Sequence, residues 1–260
     1  MADNLVQARW AEGSPAIAAW MSTHSLLIAQ SLASSGVDAV IIDMQHGSAT
    51  LDDMLGLVAS IEVRGAETFV RVPSIDAGLI GRLLDAGATG IITPLVESAA
   101  QAQALVAALR YPPEGSRSFG PRIPALRFGP DYFNTANGGI VALAMIETGA
   151  GIAALDEIVA VEGLSGLFVG PSDLAVSLGH PPSPKTPPDM VRSAIALIRS
   201  KAAAAGKKAG IFCPTLEAAD AALENGFDLV TTVSDLALVD SGTRAAVTTL
   251  RRAVPAQVQG

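Results

Sequence analysis

Short apolar segments recur along the chain, and stretches with helical periodicity separate most of them. The helical stretches repeat apolar residues every three or four positions, as in residues 51–58 and 99–109. Eight apolar segments have the length of buried strands: 15–20, 37–44, 67–73, 90–96, 140–147, 164–171, 208–214 and 228–234. Strands that alternate with helices predict a parallel sheet with helical crossovers. With eight such units, closure into a (β/α)8 TIM barrel is favoured over an open sheet.

The length of the chain predicts a single domain. Its 260 residues are close to the roughly 250 residues typical of an eight-stranded α/β barrel. We expect the barrel to occupy residues 1–253 and residues 254–260 to form a flexible tail. Residues 111–133 lack a clear period and begin at the amino end of the barrel, yet they are long enough to reach its mouth or a neighbouring subunit. The proline-rich residues 181–188 delay the helix after the sixth strand.

Composition and charge exclude several classes of function. Half of the residues are apolar, but no run approaches the roughly 18 apolar residues that a membrane helix needs. The amino terminus lacks the pattern of a secretory signal, and the single cysteine, Cys213, allows no internal disulfide. We therefore expect a cytoplasmic protein that does not enter a membrane. A net charge of -8 without a basic cluster also argues against binding to nucleic acid.

Ionisable residues stand where several of the predicted strands end. Asp43 and His46 follow the second strand, Arg71 closes the third, Glu147 closes the fifth, and Asp173 follows the sixth. The carboxyl ends of all strands in such a barrel share one face, so these side chains are expected at one mouth. Glu147 and Asp173 offer two hard oxygen ligands, which suit Mg²⁺ or Mn²⁺ with water and substrate completing the coordination. The sequence therefore predicts a metal site beside a pocket of pyruvate size.

Each of these residues also has a structural interpretation. Asp43 can cap the turn that follows it, and His46 can be an ordinary hydrogen-bonded loop histidine. Arg71 can form a structural salt bridge with Asp43 or Asp85, and Glu147 can bind an arginine instead of a metal. The functional interpretation is favoured because so many ionisable side chains meet at one predicted mouth.

The segment Gly170-Pro171-Ser172-Asp173-Leu174 carries a second signal. Glycine permits close approach of the backbone, proline fixes φ, and the following residues open a short helix whose N–H groups can hold a carboxylate. By itself the segment also fits an ordinary helix start with serine as the N-cap. Beside a metal ligand, it indicates a binding site for a 2-oxo acid.

The positions of lysine bear on any aldol chemistry. A Schiff-base lysine must reach the mouth of the barrel, but none of the four lysines closes a strand: Lys185, Lys201, Lys207 and Lys208. An enolate would therefore need stabilisation by a metal and by Arg71. Cys213 is expected to pack near the pocket rather than act as a nucleophile, and His24 is a candidate contact for a second substrate.

Over about residues 5–252, the chain resembles the HpcH/HpaI-type class II pyruvate aldolases. This family includes 4-hydroxy-2-oxoheptanedioate aldolase, and the chain is most similar to members described as hydroxy-ketoacid aldolases. The resemblance is carried by four segments, of which the last continues through Gly179 and is the most specific: Asp43-Met44-Gln45-His46, Phe69-Val70-Arg71, Met145-Ile146-Glu147-Thr148 and Leu167-Phe168-Val169-Gly170-Pro171-Ser172-Asp173-Leu174.

The resemblance implies a metal-dependent, reversible cleavage of a 4-hydroxy-2-oxo acid to an aldehyde and pyruvate or hydroxypyruvate, through a metal-stabilised enolate. Glu147 and Asp173 would bind the ion, which would be Mg²⁺, Mn²⁺ or Co²⁺. Arg71 would stabilise the enolate oxygen, and the segment Gly170-Pro171-Ser172-Asp173 would hold the substrate carboxylate. The implied assembly is a homohexamer built from dimers, in which the final helix is exchanged between subunits.

The resemblance also implies an acid/base. His46, oriented by Asp43 and Asp85, would fill this role together with a metal-bound water. The chain departs from the family pattern at Gln45, where many members carry Glu, and at Met145, where several carry a polar residue. Two alternatives remain open: a CoA-thioester lyase of the citrate lyase β type, and a non-catalytic barrel that binds a 2-oxo acid.

Overall fold

Eight parallel strands form a closed barrel in the computed structural model, which describes residues 4–182 and 187–253. Each strand pairs with the next along the chain, and the first pairs with the last. The strands are β1 (Ala16–Met21), β2 (Ala39–Asp43), β3 (Glu67–Arg71), β4 (Gly90–Thr93), β5 (Val141–Ile146), β6 (Gly166–Val169), β7 (Lys208–Ile211) and β8 (Leu229–Thr231). The fold is the (β/α)8 barrel predicted from the sequence.

Helices precede, connect and follow the strands. Before β1 lies α1 (Leu5–Ala11), and after β8 lies α13 (Asp235–Ala253). The connecting helices are α2 (Leu26–Ala33), α3 (Met54–Glu62), α4 (Ala77–Ala86), α5 (Ala99–Leu109), α6 (Arg122–Phe128), α7 (Tyr132–Gly139), α8 (Gly149–Ala153), α9 (Leu155–Val159), α10 (Pro171–Ser177), α11 (Asp189–Ala204) and α12 (Leu216–Glu224). None of the helices in the described part of the chain is both long and apolar enough to cross a membrane.

All eight predicted strands are present, although most end one to three residues earlier than their apolar segments. Residues 111–133, which show no clear period in the sequence, contain α6 and the start of α7. Part of the proline-rich segment, residues 183–186, and the predicted tail, residues 254–260, lie outside the described residues. The extent of the domain stays a prediction.

Two apolar layers stabilise the barrel. The larger layer fills the space between the strands and the helices, and the smaller one fills the interior of the barrel. Inward positions alternate along each strand, so Ala39 and Ile41 of β2 and Phe69 of β3 lie inside. Continued by two residues, the same alternation turns Asp43 and Arg71 inward at the carboxyl end. The alternation that forms the barrel core therefore also directs the side chains of Asp43 and Arg71 toward the barrel axis.

The insertion between α5 and α7 is anchored at the amino end of the barrel. The guanidinium of Arg117 lies over the ring of Tyr111 at 4.5 Å and donates to the hydroxyl of Tyr132 at 3.1 Å. It also donates to Asp85 Oδ1 at 2.7 Å. Arg127 forms a 2.6 Å ion pair with Glu62, at the last residue of α3. Within one chain, these contacts hold the insertion away from the mouth.

Candidate active site

A pocket of about 240 Å³ lies at the carboxyl end of the strands. Its wall combines one arginine, two carboxylates and a histidine with aromatic and small side chains. The lining residues are Trp20, Ser22, Asp43, His46, Arg71, Met145, Gly170, Pro171, Ser172, Asp173, Phe212 and Ser234. The mouth thus gathers most of the residues predicted from the strand ends.

Arg71 and Asp43 form a buried, bidentate ion pair at the ends of two neighbouring strands. Arg71 Nε donates to Asp43 Oδ1 at 2.9 Å, and Nη2 donates to Oδ2 at 2.6 Å. The Arg71 guanidinium also lies 4.8 Å from the centre of the Trp20 ring. Burial acts to raise the pKa of Asp43, but the hydrogen bonds and charge of Arg71 outweigh it and hold that pKa below its ordinary value.

The Asp43 carboxylate also shapes the turn that carries His46. Its Oδ1 accepts from the backbone N–H groups of Gln45 at 3.0 Å and of His46 at 3.2 Å. A Cβ on Gly47 would collide with the carbonyl oxygen of Asp43, so the tight turn requires glycine there. Asp43 therefore orients His46 through the backbone, and the exposed imidazole reaches the pocket.

Glu147 directly follows β5 and is 1% exposed. Its Oε1 accepts from the backbone N–H of Leu95 at 2.9 Å, whereas Oε2 is buried and has no hydrogen-bond partner among the described residues. A Cβ on Gly170 would collide with this Oε2, so glycine is the residue that leaves room for it. Burial raises the pKa of Glu147 to about 7, and the negative charge of Asp173 adds to the rise.

Leu95 is held in a strained conformation. It has a φ of 54°, a left-handed value that non-glycine residues rarely adopt. This conformation presents its N–H to Glu147, and the next N–H, of Val96, donates to the carbonyl of Met145 at 3.1 Å. The segment after β4 therefore positions the Glu147 carboxylate by means of its backbone.

Glu147 and Asp173 are suitable ligands for a hard divalent cation. A buried carboxylate oxygen without a donor, close to a second negative charge, is stabilised by a cation. No group of three or more His, Cys, Asp or Glu side chains that could hold a metal occurs within residues 4–182 and 187–253. Two carboxylates with substrate and water are the arrangement that Mg²⁺ accepts. The residues present therefore fit the predicted ion.

Asp85 is the predicted site residue that the fold does not bring to the mouth. It lies in the last turn of α4, which returns from the carboxyl to the amino end of the barrel, and it pairs there with Arg117. Within one chain, its predicted contact with His46 has no support. His24 is also absent from the pocket wall, and its Nδ1 lies 2.9 Å from the Ser48 hydroxyl. Cys213 is buried, with its pKa raised by burial to about 12, which agrees with packing rather than nucleophilic chemistry.

Several lining residues were not among the predicted site residues. Trp20 lies on β1 and Phe212 directly follows β7, with their ring centres 4.9 Å apart in an edge-to-face contact. Both occupy inward positions, so the alternation that places Arg71 could have found them. Ser22 and Ser234 follow β1 and β8 and line the same pocket.

A family model described as HpcH/HpaI aldolase/citrate lyase matches residues 17–241. The chain belongs to this family. A hydroxypyruvate/pyruvate aldolase of Rhizorhabdus wittichii is 46% identical over 95% of the chain and 99% of the relative. A 5-keto-4-deoxy-D-glucarate aldolase of Escherichia coli is 34% identical over 91% of the chain and 92% of the relative. The predicted family and the prediction of an aldolase-type carbon–carbon lyase are confirmed.

A solved structure supports the fold of this HpcH/HpaI chain. A family protein from Burkholderia cenocepacia superposes with a TM-score of 0.88 at 32% identity, covering 95% of this chain and 99% of that one. The named relatives act on different acids, so membership sets the type of reaction rather than the substrate.

Proposed function

We propose that this lyase reversibly cleaves 4-hydroxy-2-oxo acids to an aldehyde and pyruvate or hydroxypyruvate, with a divalent metal ion held by Glu147 and Asp173. The observation that carries the proposal is the buried Glu147 Oε2, which has no donor among the described residues and lies against Gly170. The name of the Rhizorhabdus wittichii relative supports pyruvate and hydroxypyruvate as the nucleophilic substrates. The bound ion, Mg²⁺, Mn²⁺ or Co²⁺, would act as a Lewis acid on the 2-oxo acid.

Arg71 would stabilise the negative charge that develops on the enolate oxygen. Arginine has five N–H donors, and two of them bond to Asp43, so others remain for a substrate in the pocket. Asp43 and the Trp20 ring restrict the guanidinium before the substrate arrives, which lowers the cost of reorganisation. Gly170, Pro171, Ser172 and Asp173 would hold the substrate carboxylate at the start of α10.

His46 would move the proton between the substrate hydroxyl and the solvent. It is exposed at the pocket wall, and Asp43 fixes its backbone. A Schiff-base route has no support from the described lysines. Lys201 and Lys208 pair with Asp156 and Asp228, and Lys207 donates to backbone carbonyls, all away from the pocket wall. Lys185 lies outside the described residues.

Pyruvate release from a 4-hydroxy-2-oxo acid tests the reaction. We expect a chelator to abolish it and Mg²⁺, Mn²⁺ or Co²⁺ to restore it. Full turnover by the metal-free protein would contradict the metal, and no release from a panel of 4-hydroxy-2-oxo acids would contradict the reaction. Tight binding of an acyl-CoA would instead favour the citrate lyase type of activity.

We also propose a cytoplasmic homohexamer in which α13 packs on a neighbouring subunit. Every residue from 236 to 252 is exposed in the single chain. The exposed apolar side chains of this helix are Leu236, Leu238, Val239, Val247 and Leu250. Leu236, Val239, Val247 and Leu250 share one face of the helix at their spacing, and an exposed apolar face of this kind indicates an interface. Light scattering should give a hexameric mass, and Leu250→Asp should lower it; a monomeric wild-type protein would contradict the assembly.

A further inference from the structure

Asp235 begins α13, and its carboxylate is buried beside the mouth of the barrel. The residue is 4% exposed. Oδ1 accepts from the backbone N–H of Ser22 at 2.8 Å and from that of Leu236 at 2.9 Å. Oδ2 accepts from the backbone N–H of Thr23 at 3.1 Å and from its hydroxyl at 2.7 Å. Both oxygens are therefore bound mainly by the loop that follows β1.

This loop supports the turn that carries His46. The carbonyl oxygen of Ser22 accepts from the backbone N–H of Ser48 at 2.8 Å. A Cβ on Gly47 would approach the same carbonyl oxygen to 2.8 Å, so the turn packs directly on Ser22. Ser22 and His46 also line the pocket together. One chain of contacts thus runs from the Asp235 carboxylate through Ser22 to the residues beside His46.

Helix capping alone does not account for these bonds. An aspartate that only caps a helix accepts from N–H groups of its own first turn. Here one of the four hydrogen bonds comes from α13, through Leu236, and the other three come from Ser22 and Thr23. Most of the hydrogen bonds to the carboxylate therefore stabilise the loop at the pocket rather than the start of the helix.

We propose that Asp235 is a positioning residue that holds the His46 turn through the loop after β1. The inference rests on the proposed function, because the acid/base role of His46 is itself part of that proposal. The hydrogen bonds of the Asp235 carboxylate go to Ser22, Thr23 and Leu236 rather than to the metal-site residues Glu147 and Asp173, so its replacement should disturb proton transfer and leave metal and pyruvate binding in place.

Asp235→Ala and Asp235→Asn test the inference, with Asp38→Asn as the matched control. Asp38 is also a buried carboxylate that accepts from β1, through the Ile17 N–H at 2.8 Å, but at the amino end of that strand. We expect kcat to fall roughly tenfold to a hundredfold in Asp235→Ala, since small misplacements of a reacting group have effects of this size. Asp235→Asn, which keeps one acceptor oxygen, should lie between that variant and the wild type.

The affinities for Mn²⁺ and for pyruvate should stay within about twofold in both Asp235 variants, and Asp38→Asn should keep its kcat. An unchanged kcat in Asp235→Ala, or a parallel loss of kcat and pyruvate affinity, would overturn the inference. A loss of kcat in Asp38→Asn as large as that in Asp235→Ala would also overturn the inference, because the effect would then reflect general destabilisation.

Hydrogen exchange separates this inference from the proposed function. Asp235→Ala should speed amide exchange at residues 22–24 and 46–48 even if the protein turns over no 4-hydroxy-2-oxo acid. Faster exchange confined to the start of α13 would show a helix cap and overturn the positioning role. A wild-type protein without aldol activity would instead contradict the proposed function and leave the exchange result to be judged separately.

Discussion

Two buried carboxylates, Asp38 at the amino end of the barrel and Glu147 at the carboxyl end, differ in how their oxygens are hydrogen-bonded. At the amino end, both oxygens of Asp38 have donors: Arg9 Nε at 2.9 Å and the Ile17 N–H at 2.8 Å. At the carboxyl end, one oxygen of Glu147 accepts from Leu95, and the other has no donor among the described residues. An unsatisfied buried oxygen costs stability, so Asp38 stabilises the fold, whereas Glu147 is placed to bind a ligand at the carboxyl end.

The arginine pairs at the two ends differ in the same sense. The Arg9 side chain is 47% exposed, so solvent screens its pair with Asp38 and the pair adds little to stability. The side chains of Arg71 and Asp43 are 8% and 4% exposed, and the pair lies open to the pocket. A buried pair often contributes little net stability, but it holds its charges in fixed positions. The pair therefore fixes the Arg71 guanidinium beside the pocket, where its charge can act on a bound substrate.

Arg71→Lys should give the largest effect on turnover. Lysine keeps the charge, but its compact ammonium lacks the planar fork that binds both oxygens of Asp43 and leaves further N–H donors for the substrate. We expect kcat for pyruvate-forming cleavage to fall about 10²–10³-fold, as for loss of one oxyanion donor, with a much smaller change in pyruvate affinity. Arg9→Lys is the control at the amino end and should keep full turnover. Unchanged kcat in Arg71→Lys would remove the distinction between the two pairs.

Glu147→Gln should weaken metal binding. Replacing a residue that hydrogen-bonds to a metal ligand typically lowers metal affinity 10–100-fold, so loss of the ligand itself should lower Mn²⁺ affinity at least about 100-fold. Titration with Mn²⁺, followed by electron paramagnetic resonance, measures this directly. Glu67→Gln is the matched control, because Glu67 Oε1 accepts from the Leu5 N–H at the amino end. Equal affinities in the Glu147 variant and the wild type would move the metal elsewhere.

The stability of the metal-free protein should fall as the pH rises. The pKa of Glu147 is raised from 4.5 to about 7, so between these values the folded state binds more protons than the unfolded chain. Raising the pH through this window therefore lowers the free energy of unfolding, by up to about 3 kcal/mol. Urea unfolding at pH 5 and pH 8, with a chelator, should show this loss in the wild type and not in Glu147→Gln. An equal pH dependence in both proteins would argue against the raised pKa.

The strand-end residues were predictable because two simple rules determine their positions. Parallel strands place their carboxyl ends on one face, and the two-residue alternation selects the inward side. Asp43, Arg71 and Glu147 follow directly from these rules. The position of Asp85 was also readable, since a residue near the end of a helix that follows a strand lies at the amino end. The resemblance to the family implied a contact between Asp85 and His46. Within one chain, the direction of α4 places Asp85 at the opposite end of the barrel from His46.

Other features depend on contacts that no local pattern records. The Arg117 guanidinium contacts the rings of both Tyr111 and Tyr132. The spacing of these three residues in the sequence follows no helix or strand period. The role of Asp235 depends on the pairing of β8 with β1, which brings the start of α13 next to the loop after β1. The left-handed φ of Leu95 is not a preference of leucine, so the residue type does not predict it.

Substitutions of Leu95 test whether that strained backbone holds Glu147 for the metal. Glycine adopts a positive φ without strain, whereas β-branched valine resists it strongly. Leu95→Gly should therefore keep Mn²⁺ affinity, and Leu95→Val should weaken it severalfold, at roughly 1–3 kcal/mol of conformational cost. Leu27→Val, at a leucine that is 76% exposed on α2, controls for trimming an exposed side chain. The opposite order, with glycine weaker than valine, would show that the leucine side chain matters and that the carboxyl end does not depend on the strained N–H.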